Sequence, residues 1–211
     1  NNIEFVTISS AGNAQDFGDL SANGRSDLGS CASATRGFAM GGFDENTPNY
    51  NNEIDFVTIS STGNATDFGD LLLKRQPPAC FSNATRGCCA GGYIIASLTP
   101  LYSSNQGVNI IDFVTMSSAG NAIDFGDMIM AYRNRDSCQS PTRGILAGGY
   151  NGPGDDTNVI EFVYTATTGN GIDFGDTVSG KVGWGQNGYG SSTRGVFPLS
   201  SGGGPNYVHD S

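Results

Sequence analysis

Internal repetition constrains this chain more than any other feature. The phrase IEFVTISSAGNAQDFGDL begins at Ile3, IDFVTISSTGNATDFGDL at Ile54, IDFVTMSSAGNAIDFGDM at Ile111 and IEFVYTATTGNGIDFGDT at Ile160. Successive copies start 51, 57 and 49 residues apart. A second phrase recurs between them: ATRGFAMGGF from Ala34, ATRGCCAGGY from Ala84, PTRGILAGGY from Pro141 and the diverged STRGVFPLSSGGG from Ser192. A unit of this length cannot bury an apolar face alone, so successive units must pack on one another.

Each unit holds four strand candidates. Residues 53–61 alternate and are rich in Ile, Phe, Val and Thr, as a half-buried strand requires. The S-x-x-G-N that follows supplies turn residues, and residues 66–71 return as the next strand. Residues 79–83 form a third strand, T-R-G a tight turn, and residues 87–93 a fourth. No segment has a helical period, and 32 glycines would penalise helix by roughly 1 kcal/mol at each internal position. The 37% apolar content suits many short strands joined by tight turns better than one thick core. The regular Ile, Phe and Val clusters argue against disorder.

Four antiparallel strands repeating at about fifty residues describe a propeller blade. The units resemble Kelch repeats. Gly41-Gly42, Gly91-Gly92 and Gly148-Gly149 match the glycine pair that ends the second Kelch strand. Phe17, Phe68, Phe125 and Phe174 stand where Kelch usually has Trp. Arg25, Arg75 and Arg135 stand where it often has Arg. The departures are the missing fourth-strand Trp and a displaced last glycine run at 202–204. The resemblance implies an all-β fold, a β-propeller of four Kelch-like four-stranded blades. The expected organisation is one domain over 1–211, with blades at about 21–71, 72–128 and 129–177. The last blade joins 178–211 to 1–20, so N- and C-terminal strands close the ring and remove exposed sheet edges. A fragment of a larger propeller is the alternative. The phrase I-D-F-V-T-I-x-S-x-G-N-A-x-D-F-G-D-L also resembles repeats of marine bacteriophage tail-fibre and other virion proteins. That resemblance implies a virion or extracellular location.

Lys and Arg total 10 against 20 Asp and Glu, a formal charge of −10. Nucleic acid and anionic membrane surfaces repel such a chain, and no apolar run approaches the ~20 residues of a membrane-spanning helix. The five cysteines, Cys31, Cys80, Cys88, Cys89 and Cys138, include no C-x-x-C pair and read as small buried hydrophobes. The chain begins at Asn1 in mid-pattern, the expectation for a piece cut from a longer polypeptide.

Motifs that suggest chemistry are mostly explained by their repetition. D-F-G-D offers paired carboxylates, Asp16/Asp19, Asp67/Asp70, Asp124/Asp127 and Asp173/Asp176. Such pairs can perform acid–base catalysis or bind Ca²⁺, but a catalytic pair is needed once. Asp19, Asp70, Asp127 and Asp176 therefore read as scaffold, and nothing further supports Ca²⁺ or another cofactor. No H-R-D or ATP loop accompanies D-F-G, which excludes the kinase reading. The T-R-G arginines, Arg36, Arg86, Arg143 and Arg194, are expected to pair with carboxylates of their own or a neighbouring blade. A single histidine, His209, makes a zinc site or a hydrolase triad unpromising, and the copper-radical oxidases built on Kelch-type propellers require two ligand histidines. The chain is expected not to be an enzyme.

The units differ in one set of loops. Numbering the strands of a unit a to d, the a–b and c–d turns barely vary. The b–c segments 44–52, 94–109 and 151–158 and the d–a segments vary freely, and both emerge on one face. That face is the expected ligand surface, carrying Tyr50, Tyr102, Tyr132, Arg133, Arg135, Trp184 and Asn187, with Arg75 and Gln186 beside them. Aromatics beside planar hydrogen-bonding side chains suit a glycan or a protein. The leading expectation is a non-catalytic module of a phage tail fibre or appendage recognising a host surface glycan or protein. Alternatives are a structural assembly or decoration protein that packs against virion proteins or itself, and a carbohydrate-active enzyme using Asp155 and Asp156 or Asp44 and Glu45.

Overall fold

The computed structural model describes residues 1–21, 24–44, 46, 49–76, 78–98, 102, 104–150, 156–178 and 188–198. Each complete unit folds as an a-b-c-d antiparallel meander. The first comprises Gly29–Ala32, Arg36–Met40, Glu53–Thr58 and Thr66–Asp70. The second comprises Ala79–Ser82, Arg86–Ala90, Ile110–Thr115 and Ile123–Asp127. The third comprises Asp136–Gln139, Arg143–Ala147, Val159–Tyr164 and Ile172–Asp176. Two separate hairpins flank these meanders, one of c–d sequence (Asn2–Phe5 and Gln15–Asp19) and one of a–b sequence (Tyr189–Gly190 and Gly195–Val196). The two hairpins are not paired with each other among the described residues.

The c strands end earlier than their sequence pattern suggests, at Thr58 rather than residue 61. The b strands stop before the glycine pair, at Ala90 in the second unit. Gly91 and Gly92 have φ of +62° and +99°, a backbone that side chains with a Cβ rarely adopt. The chain turns there out of the meander.

A bulge recurs in every c–d pair. Ile111 faces Gly126 and Asp112 faces Asp124, which leaves Phe125 as the extra residue. Its ring enters the core, 2% exposed, and its carbonyl accepts a hydrogen bond from the next unit, Gly169 N–H at 2.8 Å. Three such joints are described. Gly63, Gly120 and Gly169 donate to Phe17, Phe68 and Phe125 at 2.7–2.8 Å, and Ala65, Ala122 and Gly171 donate to Asp19, Asp70 and Asp127 at 2.7–2.8 Å. Asn64, Asn121 and Asn170 side chains accept the Asp19, Asp70 and Asp127 N–H groups, each at 3.1 Å. The recurring G-N-A turn, G-N-G in the third unit, is thus a clamp for the D-F-G-D strand of the preceding unit. A Cβ on Gly69 would stand 2.5 Å from the Gly120 carbonyl oxygen, so the joint admits only glycine.

The core lies between sheets. One cluster joins Phe38, Met40, Ile54 and Phe68 of the first unit to Cys80, Cys89, Val114 and Met116 of the second. Another joins Phe81, Cys88, Phe113 and Phe125 to Leu146 and Val163 of the third. The second sheet supplies both clusters from alternate residues of the same strands, as the two-residue period of a strand dictates. The a strands adjoin, with Ser82 Oγ donating to Ala32 O at 2.8 Å and Ser137 Oγ to Cys80 O at 2.7 Å.

Candidate functional site

A second, smaller layer of strands rises from the varying loops, and the repeat pattern gives no hint of it. In the first unit Arg25–Ser26, Phe43–Asp44 and Asn49–Tyr50 form a three-stranded sheet. In the second, Gln76 bridges to Tyr93–Ile94, which pairs with Gln106–Gly107. In the third, Arg133, Tyr150 and Asp156 make the equivalent bridges. The d–a segment is therefore hydrogen-bonded to the b–c hairpin in all three units, and the varying face has a framework.

The residue after each glycine pair is aromatic: Phe43, Tyr93 and Tyr150. These three, with Tyr50 and Arg133, make one continuous stack across three units. Phe43 meets Tyr50 edge-on at 6.1 Å, and Tyr50 meets Tyr93 at 6.3 Å. The Arg133 guanidinium carbon lies 4.0 Å from the Tyr93 ring centroid and 4.7 Å from that of Tyr150. Backbone bonds fix this sandwich, with Arg133 N–H donating to Tyr150 O at 3.0 Å and Tyr150 N–H to Arg133 O at 2.9 Å. Each cation–π contact contributes about 0.5–2 kcal/mol. Two tyrosine rings thus lie within cation–π reach of one guanidinium. No carboxylate pairs with it among the described residues, and its Nε is buried without a protein acceptor.

The structure brings Tyr50 and Arg133 together, and the other expected ligand residues that it describes lie outside the stack. Arg135 is not on the surface: it is 3% exposed and bound to Glu161. Arg75 is 0% exposed and bound to Asp112. Tyr50 and Tyr132 are also buried, Tyr132 against Arg135, so neither stands free on the surface, contrary to expectation. Tyr102 is half-buried and outside the stack. Trp184, Gln186, Asn187, Glu45, Asp155 and His209 lie outside the described residues. Phe43, Tyr93 and Tyr150 join Tyr50 and Arg133 in the stack, and their recurrence after Gly-Gly is the signal the sequence offers for them.

The ion pairs also differ from expectation. Arg25, Arg75 and Arg135 pair with Asp55, Asp112 and Glu161, the acid of the I-D/E-F phrase. The same carboxylates accept the first N–H groups of the d–a segment, from Ser21 at 3.3 Å, Leu72 at 2.9 Å and Ile129 at 2.7 Å. Each pair therefore ties the d–a segment to its unit. The T-R-G arginines do not pair with carboxylates among the described residues. Arg36, Arg86 and Arg143 lie 4.5–4.7 Å over Phe56, Phe113 and Phe162 of their own c strands. Arg36 also donates to Met116 O at 2.6 Å and Arg86 to Thr165 O at 3.2 Å, both in the next unit. Aromatic faces and carbonyls meet these cations at the unit boundary, where no carboxylate reaches. Arg194 is exposed.

The D-F-G-D aspartates act in the joints through their backbone groups. Asp19, Asp70 and Asp127 each donate and accept there, and Asp176 occupies the equivalent place at the end of the third unit. No group of three or more His, Cys, Asp or Glu that could hold a metal ion occurs among the described residues. No family model and no curated protein matches the chain.

Proposed function

We propose that this protein is a non-catalytic recognition module of a phage virion appendage that binds a host surface glycan or protein. Its scaffold is a four-bladed propeller whose last blade is shared by the two ends of the chain. The observation that carries the recognition reading is the Phe43–Tyr50–Tyr93–Arg133–Tyr150 stack on the face where the units differ. A guanidinium held between two tyrosine rings loses little conformational freedom on binding. Its in-plane edge suits oxygen acceptors, the carboxylates and hydroxyls of a glycan or the carboxylates of a protein. The virion assignment rests on the resemblance of the repeat phrase.

Glycan-array profiling together with adsorption to candidate host cells tests this reading. Saturable binding that Arg133→Ala abolishes while the thermal midpoint stays within a few degrees is the expected result. Absence of binding in both assays, or binding indifferent to Arg133→Ala and Tyr93→Ala, refutes it.

A further inference from the structure

Three joints connect D-F-G-D strands to G-N-A turns, and the series leaves one of each over. Among the described residues, no turn lies on Phe174, Gly175 and Asp176 at the end of the third unit, and no strand lies beneath Gly12, Asn13 and Ala14 of the N-terminal hairpin. Exposure marks the gap. Phe17, Phe68 and Phe125 are 8%, 3% and 2% exposed, whereas Phe174 is 52% exposed. A Cβ on Gly69 or Gly126 would meet the neighbouring turn, but one on Gly175 would meet nothing within 4 Å. Met116 and Thr165, which receive the T-R-G arginines of the preceding units, are 2% and 0% exposed, while the corresponding Ile8 is 98% exposed.

The terminal hairpins are complementary as well. One supplies strands c and d, the other a and b. A cavity of about 480 Å³, lined by Ile3, Leu20, Leu28, Cys31, Phe38 and Phe56 among others, opens between the N-terminal hairpin and the first sheet, where an a–b hairpin belongs. The a–b turns of the three sheets and of the C-terminal hairpin border one opening of about 360 Å³, with Ser33 and Ser191 both on its rim. The C-terminal hairpin thus borders the same opening as the a–b turn of the first sheet.

We infer that the chain closes on itself through a fourth joint, in which its own Gly12, Asn13 and Ala14 turn docks on Phe174, Gly175 and Asp176. The inference rests on the four-blade scaffold proposed above and names the atoms that close it. Gly12 N–H donates to Phe174 O, Ala14 N–H to Asp176 O, and Asp176 N–H to Asn13 Oδ1. Arg143 then donates to Ile8 O, as Arg36 and Arg86 do to Met116 and Thr165. In the register of the other units, Gly195 faces Val6 and Val196 faces Phe5, which places Arg194 over the Phe5 ring. The own turn is favoured over a second copy because the two terminal hairpins together supply the four strands of a single unit.

Amide hydrogen exchange by NMR on the intact chain, paired with sedimentation, tests the joint. The Gly12, Ala14 and Asp176 amides are expected to be protected within about tenfold of Gly63, Ala65 and Asp70 in a monomer. Asn13→Ala should lower protection at Asp176 at least tenfold while leaving Asp70 unchanged. Exchange of Gly12 and Ala14 at free-amide rates overturns the inference. So does protection that appears only as the sedimenting mass rises, because a second copy then supplies the turn. Neither readout depends on whether any glycan or cell binds.

Discussion

Replacing Arg75 with Met tests the internal frame of the repeat. Arg75 is fully buried and holds Asp112, also 0% exposed, while donating to Cys89 O at 3.0 Å. The truncation leaves Asp112 charged and buried with the Leu72 N–H, at 2.9 Å, as its remaining donor. Breaking a buried pair from one side costs about 3–5 kcal/mol. That is a large part of the roughly 5–15 kcal/mol that holds a domain folded. For a chain of 211 residues it lowers the thermal midpoint by roughly 6–20 °C, at about 2–4 °C per kcal/mol. The pair is imperfect, since the Nε and Nη1 atoms of Arg75 are buried without a protein acceptor. Replacing both partners, Arg75→Met with Asp112→Leu, should therefore recover part of the loss. The double variant retains a deficit of about 1–3 kcal/mol for the Leu72 N–H that loses its acceptor. Thermal and urea unfolding followed by circular dichroism measure all three proteins. A single variant within about 1 kcal/mol of the parent refutes the reasoning. A double variant as unstable as the single one refutes it equally, because the stranded charge would then not be the source of the cost.

Asn121→Ala removes the side-chain acceptor of the Asp70 N–H at the joint between the first and second units, and urea unfolding should show a loss of about 1 kcal/mol. Unchanged stability would remove the Asn side chain from the clamp. Burial pushes the Cys88 thiol up to about 12 and raises that of Cys138, while Cys80 is raised first by its hydrogen bond with Cys89 and then by burial. Because the thiolate is the nucleophile, these three should resist iodoacetamide at pH 8 in the folded protein and react once urea unfolds it. Rapid labelling of Cys88 under native conditions, read by peptide mass, would contradict this.

The meander order and strand identities were legible because strand alternation and turn residues repeat in every unit. Errors of a few residues came where glycine pairs and bulges interrupt that alternation. The role of G-N-A was not legible, because its clamp is made largely of backbone N–H and C=O groups. The arginine assignments were interchanged for a related reason. Each of the three complete units offers at least two arginines and several acids, and only the fold decides that Arg75 turns inward to Asp112 while Arg86 lies over Phe113. The varying face was visible as variation, but its two-residue strands are too short to leave a pattern. Arg133 was chosen for its type and position. Tyr93, its nearest ring, stands at the end of the strand candidate 87–93 and so was not counted with the varying loops.

The glycine pairs act as a firebreak between frame and loop. The second unit carries sixteen residues over 94–109 where the first carries nine over 44–52. Yet Cys88 still faces Phe113 in the second sheet just as Phe38 faces Phe56 in the first. Length added beyond Gly91-Gly92 does not propagate into the strands. A lineage built on this repeat can therefore exchange or lengthen one loop at a time without retuning the sheets beneath, and an engineer can graft foreign segments at the same three places.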